Sequence, residues 1–501
     1  MNLASIIDDH PVDSVALISR GQTTTYGELR DQIDHLRGGF ASIGVQRGDR
    51  IALLCSNGPH FAICYFAALG LGAVTVPLNP LSPSPELERE IGDVDAKVVV
   101  VEKLSAATWA NVDRSLTSSV ETVVTADEEP GEGEVSIDSL LAVAPVPRVD
   151  VHDDHLAALM FTSGTAGAPR AAMLSHSNLL ASIEQTMNVS GRMRSDDIVY
   201  GVLPLFHIFG LNVVLGMSFA AGCAVLLVQR FDPTTAADSI RERRVTIVPG
   251  VPTMWTAFAH FDELADDSFS SVRLALSGAS RLSPTVFERV RDRFGLEISE
   301  GYGLTEASPT VTTSSGIPVR AGSVGRALEG VEVRVVNVDG DALVGDVGEV
   351  WVRGANVFLG YFGDADATDS VLDSEGWLHT GDMAITDDDG YLYLVDRSKD
   401  LVIVSGFNVY PAEVEEVLIA HPDVVEAGVI GVPHPHTGEA VKAFVVAESG
   451  RKVDEETLIE HCLDHLARYK CPSKILFVPE LPRNAAGKLI RRKLNEIMAS
   501  S

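Results

Sequence analysis

"LAALMFTSGTAGAPR", residues 156–170, joins an apolar run to a loop holding two glycines, three hydroxyl residues, a proline and a closing arginine. Leu156 to Phe161 has the composition of a buried strand. Small residues after a strand let backbone N–H groups approach phosphate oxygens, and hydroxyls add donors. Arg170 would supply a positive charge. The spacing fits neither G-x-x-x-x-G-K-[ST] nor the G-x-G-x-x-G that opens a dinucleotide-binding helix. Taken alone, such a loop is more often a plain connection between elements.

Outward from this stretch, the first 400 residues alternate helix and strand signals. "TYGELRDQIDHLRGGFASIG" (25–44) places apolar residues at helical spacing and ends on Gly44. "DRIALLCSN" (49–57) and "AKVVVVEK" (96–103) are short β-rich runs, the second almost all valine, as strands covered on both faces are. This alternation predicts α/β sheets with helical cover. "ADEEPGEGE" (126–134) reads as an exposed acidic loop. Phe61–Asn79 and Gly210–Gln229 are uncharged and long enough to span a bilayer, yet internal glycines and β-branched ends divide each. Each is expected to form a buried helix, a turn and a buried strand.

At 501 residues with 46% apolar content, the chain is large enough for several folding units and a sizeable core. A formal charge of −31 excludes a general nucleic-acid surface. The five cysteines form no CxxC pair, so they are expected to be reduced thiols of a cytoplasmic protein. The Met1–His10 start lacks the pattern of a signal peptide. The segment Arg468–Lys493 runs against the overall balance, with eight Lys/Arg and one acid, Glu480. It reads as a solvated face or as an anion site supplied by the C-terminal segment.

From about Gly322 the texture changes to short strands with DG-type turns: "GVEVRVVNVDGDAL" (330–343), "GEVWVRG" (348–354) and "GYLYLVDRSKD" (390–400). These predict a small β-barrel-like part. After Asp400 a compact α+β pattern follows, from "YPAEVEEVLIAHP" (410–422) to "DEETLIEHCLDHLARY" (454–469). We therefore expect a large N-terminal domain over 1–398, followed by a small α+β domain over 399–501.

Six motifs occur in one order: "TSGTAGAPR" (162–170), "LPLFHIFG" (203–210), "GYGLTEA" (301–307), "GWLHTGD" (376–382), "DRSKDLVIVSGFNVYPAEVE" (396–415) and "LPRNAAGKLIRRKL" (481–494). In order and spacing the chain resembles the AMP-forming adenylating enzymes, which include acyl-CoA synthetases, nonribosomal-peptide adenylation domains and firefly luciferase. The resemblance runs from about Ile6 to Leu494 and is of the fatty acyl-CoA synthetase type. It implies a two-step reaction. A carboxylate attacks the α-phosphate of ATP to give an acyl-adenylate and pyrophosphate, and the thiol of CoA then displaces AMP.

The resemblance also implies roles. Thr162, Ser163, Gly164, Thr165, Gly167 and Arg170 would cradle the β- and γ-phosphates. Thr305 would donate to the α-phosphate and Glu306 would hold Mg²⁺ through a hard oxygen; alone, "LTE" reads as a helix N-cap with an acid in the first turn. Tyr302 would border adenine, Asp382 would accept from the ribose hydroxyls, and Arg397 would lie near ribose or phosphate. Lys488 matches the lysine that bridges the attacking carboxylate and the α-phosphate, a task suited to a mobile point charge. Lys399 falls at the hinge about which the small domain turns between half-reactions, and Gly406 would line the pantetheine tunnel. His207 would border the acyl site, although a lone histidine on an apolar segment is also an ordinary core residue. Gly278, Ala279 and Gly301 would form acyl-pocket wall. The histidines of "VPHPHTGE" (432–439) lack a cysteine or acid at zinc-ligand spacing.

The opening loop departs from the family form, which has a second threonine and then Pro-Lys-Gly; here stand Ala166 and Pro169-Arg170-Ala171. An arginine keeps the charge but brings a planar fork, so weaker nucleotide use is one expectation. Three functions stay open at this point. They are a fatty or similar acyl-CoA synthetase, an adenylating enzyme that loads a carrier protein, and a catalytically silent nucleotide-binding protein. The expected partners are small molecules (a carboxylic acid, ATP and CoA), with no nucleic acid and no integral membrane span. Peripheral membrane contact and oligomeric state stay open.

Overall fold

The computed structural model describes residues 1–501 except 127–128, 163–168, 190, 398–399, 405–406, 435–436, 449–452, 485–486 and 500–501. For 396, 397, 408, 498 and 499 it describes the backbone alone. The valine run forms the strand Val98–Glu102, buried on both faces, inside a seven-stranded sheet. That sheet is parallel from Val135–Ser136 through Thr122–Ala126, Val98–Glu102, Arg50–Leu54 and Val74–Pro77 to Leu156–Thr162. Its edge, Arg170–Ser175, pairs antiparallel with Leu156–Thr162 and places Thr162 opposite Arg170. The strand ahead of the quoted loop is therefore real, and the loop joins two neighbouring strands rather than a strand and a helix.

A nine-stranded sheet forms the second layer, parallel through its centre and antiparallel at both edges. Between the sheets lies the helix Pro59–Gly70, whose residues Phe61 to Gly70 are all buried. Pro59 opens it at a position where a missing N–H costs nothing. The helix Tyr26–Ser42 begins at a capping box between Thr25 and Glu28, and the chain turns away at Gly44 with φ +85°. Its Leu29, Ile33, Leu36 and Phe40 are buried at helical spacing.

Both long uncharged stretches divide as their glycines indicate. Gly210–Gln229 adds one refinement, because its helical part begins as a π-helix over Phe209–Gly216. A Cβ on Gly210 would lie 2.1 Å from the Pro204 carbonyl oxygen, so only glycine allows this approach. Among the described residues no helix is long and apolar enough to cross a membrane.

A third sheet, the expected barrel-like part, is four-stranded and antiparallel, in the order Val331–Val336, Gly348–Gly354, Leu378–Thr386, Leu392–Arg397. Beyond it, the small domain packs the helices Pro411–Ala420, Glu455–His465 and Arg491–Ala499 on a five-stranded sheet. Its buried residues, including Val429, Val441 and Phe444, form cores separate from that of the large domain.

Candidate active site

A cavity of about 470 Å³ lies where the two domains meet. The large domain contributes Thr162, Arg170, His207, Gly278, Ala279, Gly301, Tyr302, Thr305 and Glu306, and the small domain contributes Asn484 and Lys488. Residues far apart in sequence thus share one space.

At the end lined by Thr162 and Arg170, Arg170 Nε donates to Asp364 Oδ2 at 3.1 Å, and the guanidinium sits 5.6 Å from the Tyr361 ring centre. Glu306 lies on a single 3₁₀ turn, Thr305–Ala307. Asn356 fixes that turn by donating from Nδ2 to the Ala307 and Thr310 carbonyls, and Phe358 N–H donates to the Glu306 carbonyl at 2.8 Å. The Glu306 side chain accepts from the Tyr361 hydroxyl at 2.8 Å. Burial, then the Glu306 charge, holds that phenol well above its ordinary pKa, so it stays a donor. Ala171 is buried in the edge strand with its carbonyl accepting from Phe362 N–H, so its methyl group sits on ordinary extended backbone.

Tyr302, next to last in the strand Ile298–Gly303, donates from its hydroxyl to Asp382 Oδ2 at 2.7 Å. Asp382 is buried on the strand Leu378–Thr386, directly opposite the backbone of Arg397.

The remaining wall is apolar and tightly built. The His207 imidazole is pushed down to about 4, first by burial and then by the charge of Lys488, so it is neutral at physiological pH. Its Nδ1 accepts from Phe209 N–H at 3.3 Å, which assigns the proton to Nε2. A Cβ on Gly278 would lie 3.1 Å from the Phe209 ring, so the ring packs directly against the Gly278 backbone. Ala279 has φ +70°, a left-handed conformation that costs a non-glycine residue energy and that clusters at functional sites. Val213, Met217, Leu274 and Leu276 line the same cavity.

Lys488 is held by its own loop. Its N–H donates to Asn484 Oδ1 at 2.8 Å, and its carbonyl accepts from Asn484 N–H at 2.9 Å. Gly487, with φ +76°, lies against Val251 and Thr253 of the large domain, where a Cβ would stand 3.2 Å from each. Glycine is needed there for both the turn and the close approach. Arg281 of the large domain pairs with Glu416 of the small one at 2.9 Å.

Of the residues singled out from sequence, the cavity brings together Thr162, Arg170, His207, Gly278, Ala279, Gly301, Tyr302, Thr305, Glu306 and Lys488. Asp382 reaches it through Tyr302. Ser163, Gly164, Thr165, Ala166, Gly167, Lys399 and Gly406 lie outside the described residues, as does the Arg397 side chain. Sequence reasoning missed Tyr361, Asp364, Asn484 and the Arg281–Glu416 pair. Only Asn484 carried a signal, as a turn-forming residue next to the motif lysine.

A large α/β body closed by a small α+β domain, with one cavity lined by both, is the architecture of a two-domain adenylating enzyme. Residues 4–362 match the family described as AMP-binding enzyme, and residues 413–488 match the AMP-binding enzyme C-terminal domain. The chain belongs to this family and is an AMP-forming acid–thiol ligase with small-molecule substrates. It is 34% identical to 4-coumarate–CoA ligase 3 of Arabidopsis thaliana, over 98% of this chain and 89% of that one. It is 33% identical to a long-chain-fatty-acid–CoA ligase of Bacillus subtilis, over 99% and 94%. Its structure is similar to ATP-bound MatB from Rhodopseudomonas palustris (TM-score 0.91, 33% identity, 99% of this chain and 98% of that one). It is also similar to the anthranilate CoA ligase AuaEII in complex with anthranoyl-AMP (TM-score 0.94, 27% identity, 100% and 98%).

Proposed function

We propose that this protein is an acyl-CoA synthetase that activates an acid with an apolar tail, a fatty acid in the first reading. In the first step a carboxylate oxygen bonds to the α-phosphorus of ATP and pyrophosphate leaves with the electron pair. In the second, the CoA sulfur bonds to the acyl carbon and AMP leaves. The observation that carries this reading is the position of Lys488, presented by the small domain to a cavity that also holds Thr305, Glu306 and Arg170.

In this reading Lys488 bridges carboxylate and α-phosphate, and Thr305 donates to the α-phosphate. The loop Thr162–Arg170, with Ser163, Gly164, Thr165 and Gly167, holds the outer phosphates. Tyr302 borders the adenine, and Asp382 and Arg397 serve the ribose. The donor set at Glu306 suits Mg²⁺: it is a carboxylate inside the cavity with Oε1 fixed by Tyr361. When bound, the ion would neutralise polyphosphate charge. His207 and the Gly278, Ala279 and Gly301 wall border the acyl group.

The domains divide at 398/399, with Lys399 as hinge and Gly406 facing pantetheine once Lys488 has withdrawn. Five free cysteines suit a reducing compartment, the cytoplasm.

For the acid, Val213, Met217, Leu274 and Leu276 favour an alkyl tail in a fatty-acid pathway. The aromatic ring of Phe209, packed on Gly278 in the cavity lining, favours a second reading, a planar aryl acid. Mass spectrometry of products from a panel of alkyl and aryl acids with ATP, with and without CoA, separates them. Acyl-CoA, AMP and pyrophosphate are expected. Acyl-adenylate that never passes to CoA would favour a carrier-protein acceptor, and no adenylate from any acid would refute the reading.

A further inference from the structure

The segment Phe358–Asp364 carries two side chains to which no motif gave a role. It runs along the edge strand that closes the phosphate loop. Met173 N–H donates to the Gly360 carbonyl at 2.9 Å, Leu359 N–H to the Met173 carbonyl at 3.0 Å, and Phe362 N–H to the Ala171 carbonyl at 2.8 Å. At its start, Phe358 N–H holds the backbone of Glu306 at 2.8 Å. One strap therefore touches both the strand of Arg170 and the turn of Glu306.

The side chains complete the link. Asp364 divides its carboxylate: Oδ1 accepts from Ala367 N–H at 2.9 Å and caps a short helix, while Oδ2 accepts from Arg170 Nε at 3.1 Å. Arg170 lies over Tyr361, whose hydroxyl holds Glu306. Arg170 Nη1 and Nη2 have no protein partner among the described residues, and Arg170 lines the cavity.

We propose that Asp364 and Tyr361 are positioning residues: Asp364, by taking Nε, fixes the guanidinium so that its Nη edge meets the ATP polyphosphate as a planar fork, and Tyr361 ties that fork to the Glu306 carboxylate. This rests on the ATP-dependent reading above. A lysine at 170 could not fill the same role, because an ammonium is a point charge without a fork to hold at one nitrogen and present at two others. Arg170 is then a matched part of this chain, and its difference from the family lysine carries no loss.

The test is a double-mutant cycle of Arg170→Lys and Asp364→Asn, read by calorimetric titration of MgATP without acid or CoA. The asparagine keeps the capping oxygen and removes the charge. Each single variant is expected to raise the MgATP Kd about fivefold to tenfold, the size of one net hydrogen bond. The double variant should be no worse than the poorer single one, since both lose the same contact. The KM for the carboxylic acid should stay unchanged. Tyr361→Phe, which keeps the ring, should raise the MgATP Kd by a smaller factor. Additive losses, or an Arg170→Lys variant that binds MgATP as tightly as wild type, would overturn the proposal. Should Asp364→Asn melt early, Arg170→Lys decides alone, because it leaves the cap intact. Wild type that binds no MgATP would refute the ATP-dependent reading itself; tight wild-type binding with an additive cycle refutes only this inference.

Discussion

The Tyr302 hydroxyl donates to Asp382 Oδ2 across 2.7 Å, joining the end of the strand Ile298–Gly303 to the third sheet at the cavity wall. The donor holds one carboxylate oxygen in place while Asp382 itself stays buried. Replacing Tyr302 by Phe keeps the ring and removes this donor. The KM for ATP in pyrophosphate exchange is expected to rise about threefold to tenfold, the worth of one net hydrogen bond. The KM for the acid should hold. A variant with an unchanged ATP KM would show that the contact does not order the nucleotide site.

His176 gives the large domain an acid-sensitive joint. Its Nδ1 accepts from Leu3 N–H at 3.0 Å, and Nε2 is buried without a partner among the described residues. Burial, followed by the neighbouring His155, pushes it from 6.5 down to about 3. The folded state therefore holds the ring neutral, while the unfolded chain takes up a proton below 6.5. Stability is complete above that value and falls as pH drops from 6.5 toward 3. Between pH 7 and pH 5 the loss from this group is about 2 kcal/mol. Denaturation midpoints of wild type and His176→Gln, which keeps an acceptor for Leu3, should diverge at pH 7 and converge at pH 5. Parallel pH slopes would contradict this account.

Arg281 and Glu416, 2.9 Å apart, form an ion pair between large and small domains. Each is about a third exposed, so the pair is worth about 0.2–1 kcal/mol. Glu416→Lys should slow acyl-AMP formation about twofold to fivefold and leave transfer from supplied acyl-AMP to CoA unchanged, because in the proposed reading only the first step needs Lys488 in the cavity. The gap should shrink at high salt as surface charges are screened. Equal slowing of both steps would mean that the pair serves stability alone.

How much of this was legible in the chain follows from the range of the forces involved. The valines of Val98–Glu102, the capping box at Thr25 and the proline at 59 act on near neighbours, so their elements are written locally. The motif residues of the cavity were legible through resemblance, since each alone has an ordinary structural reading. The π-helix at Phe209–Gly216 was not, because its residues suit any buried helix and only the contact of Gly210 with Pro204 sets it apart. Asp364 and Arg281 were also hidden: each gains its meaning from a partner brought close by the tertiary fold. The same holds for Ala279, whose positive φ nothing in its neighbours Ser277, Gly278 and Ser280 announces.

The central claim is that Lys488, carried into the cavity by the small domain, serves the adenylating step alone. Lys488→Ala should be assayed for ATP–pyrophosphate exchange and, separately, for thioester formation from supplied acyl-AMP and CoA. The account predicts loss of exchange by at least about 100-fold, as expected when a transition-state charge contact is removed, with thioester formation kept within about twofold of wild type. Equal loss in both assays, or exchange that survives, would contradict it.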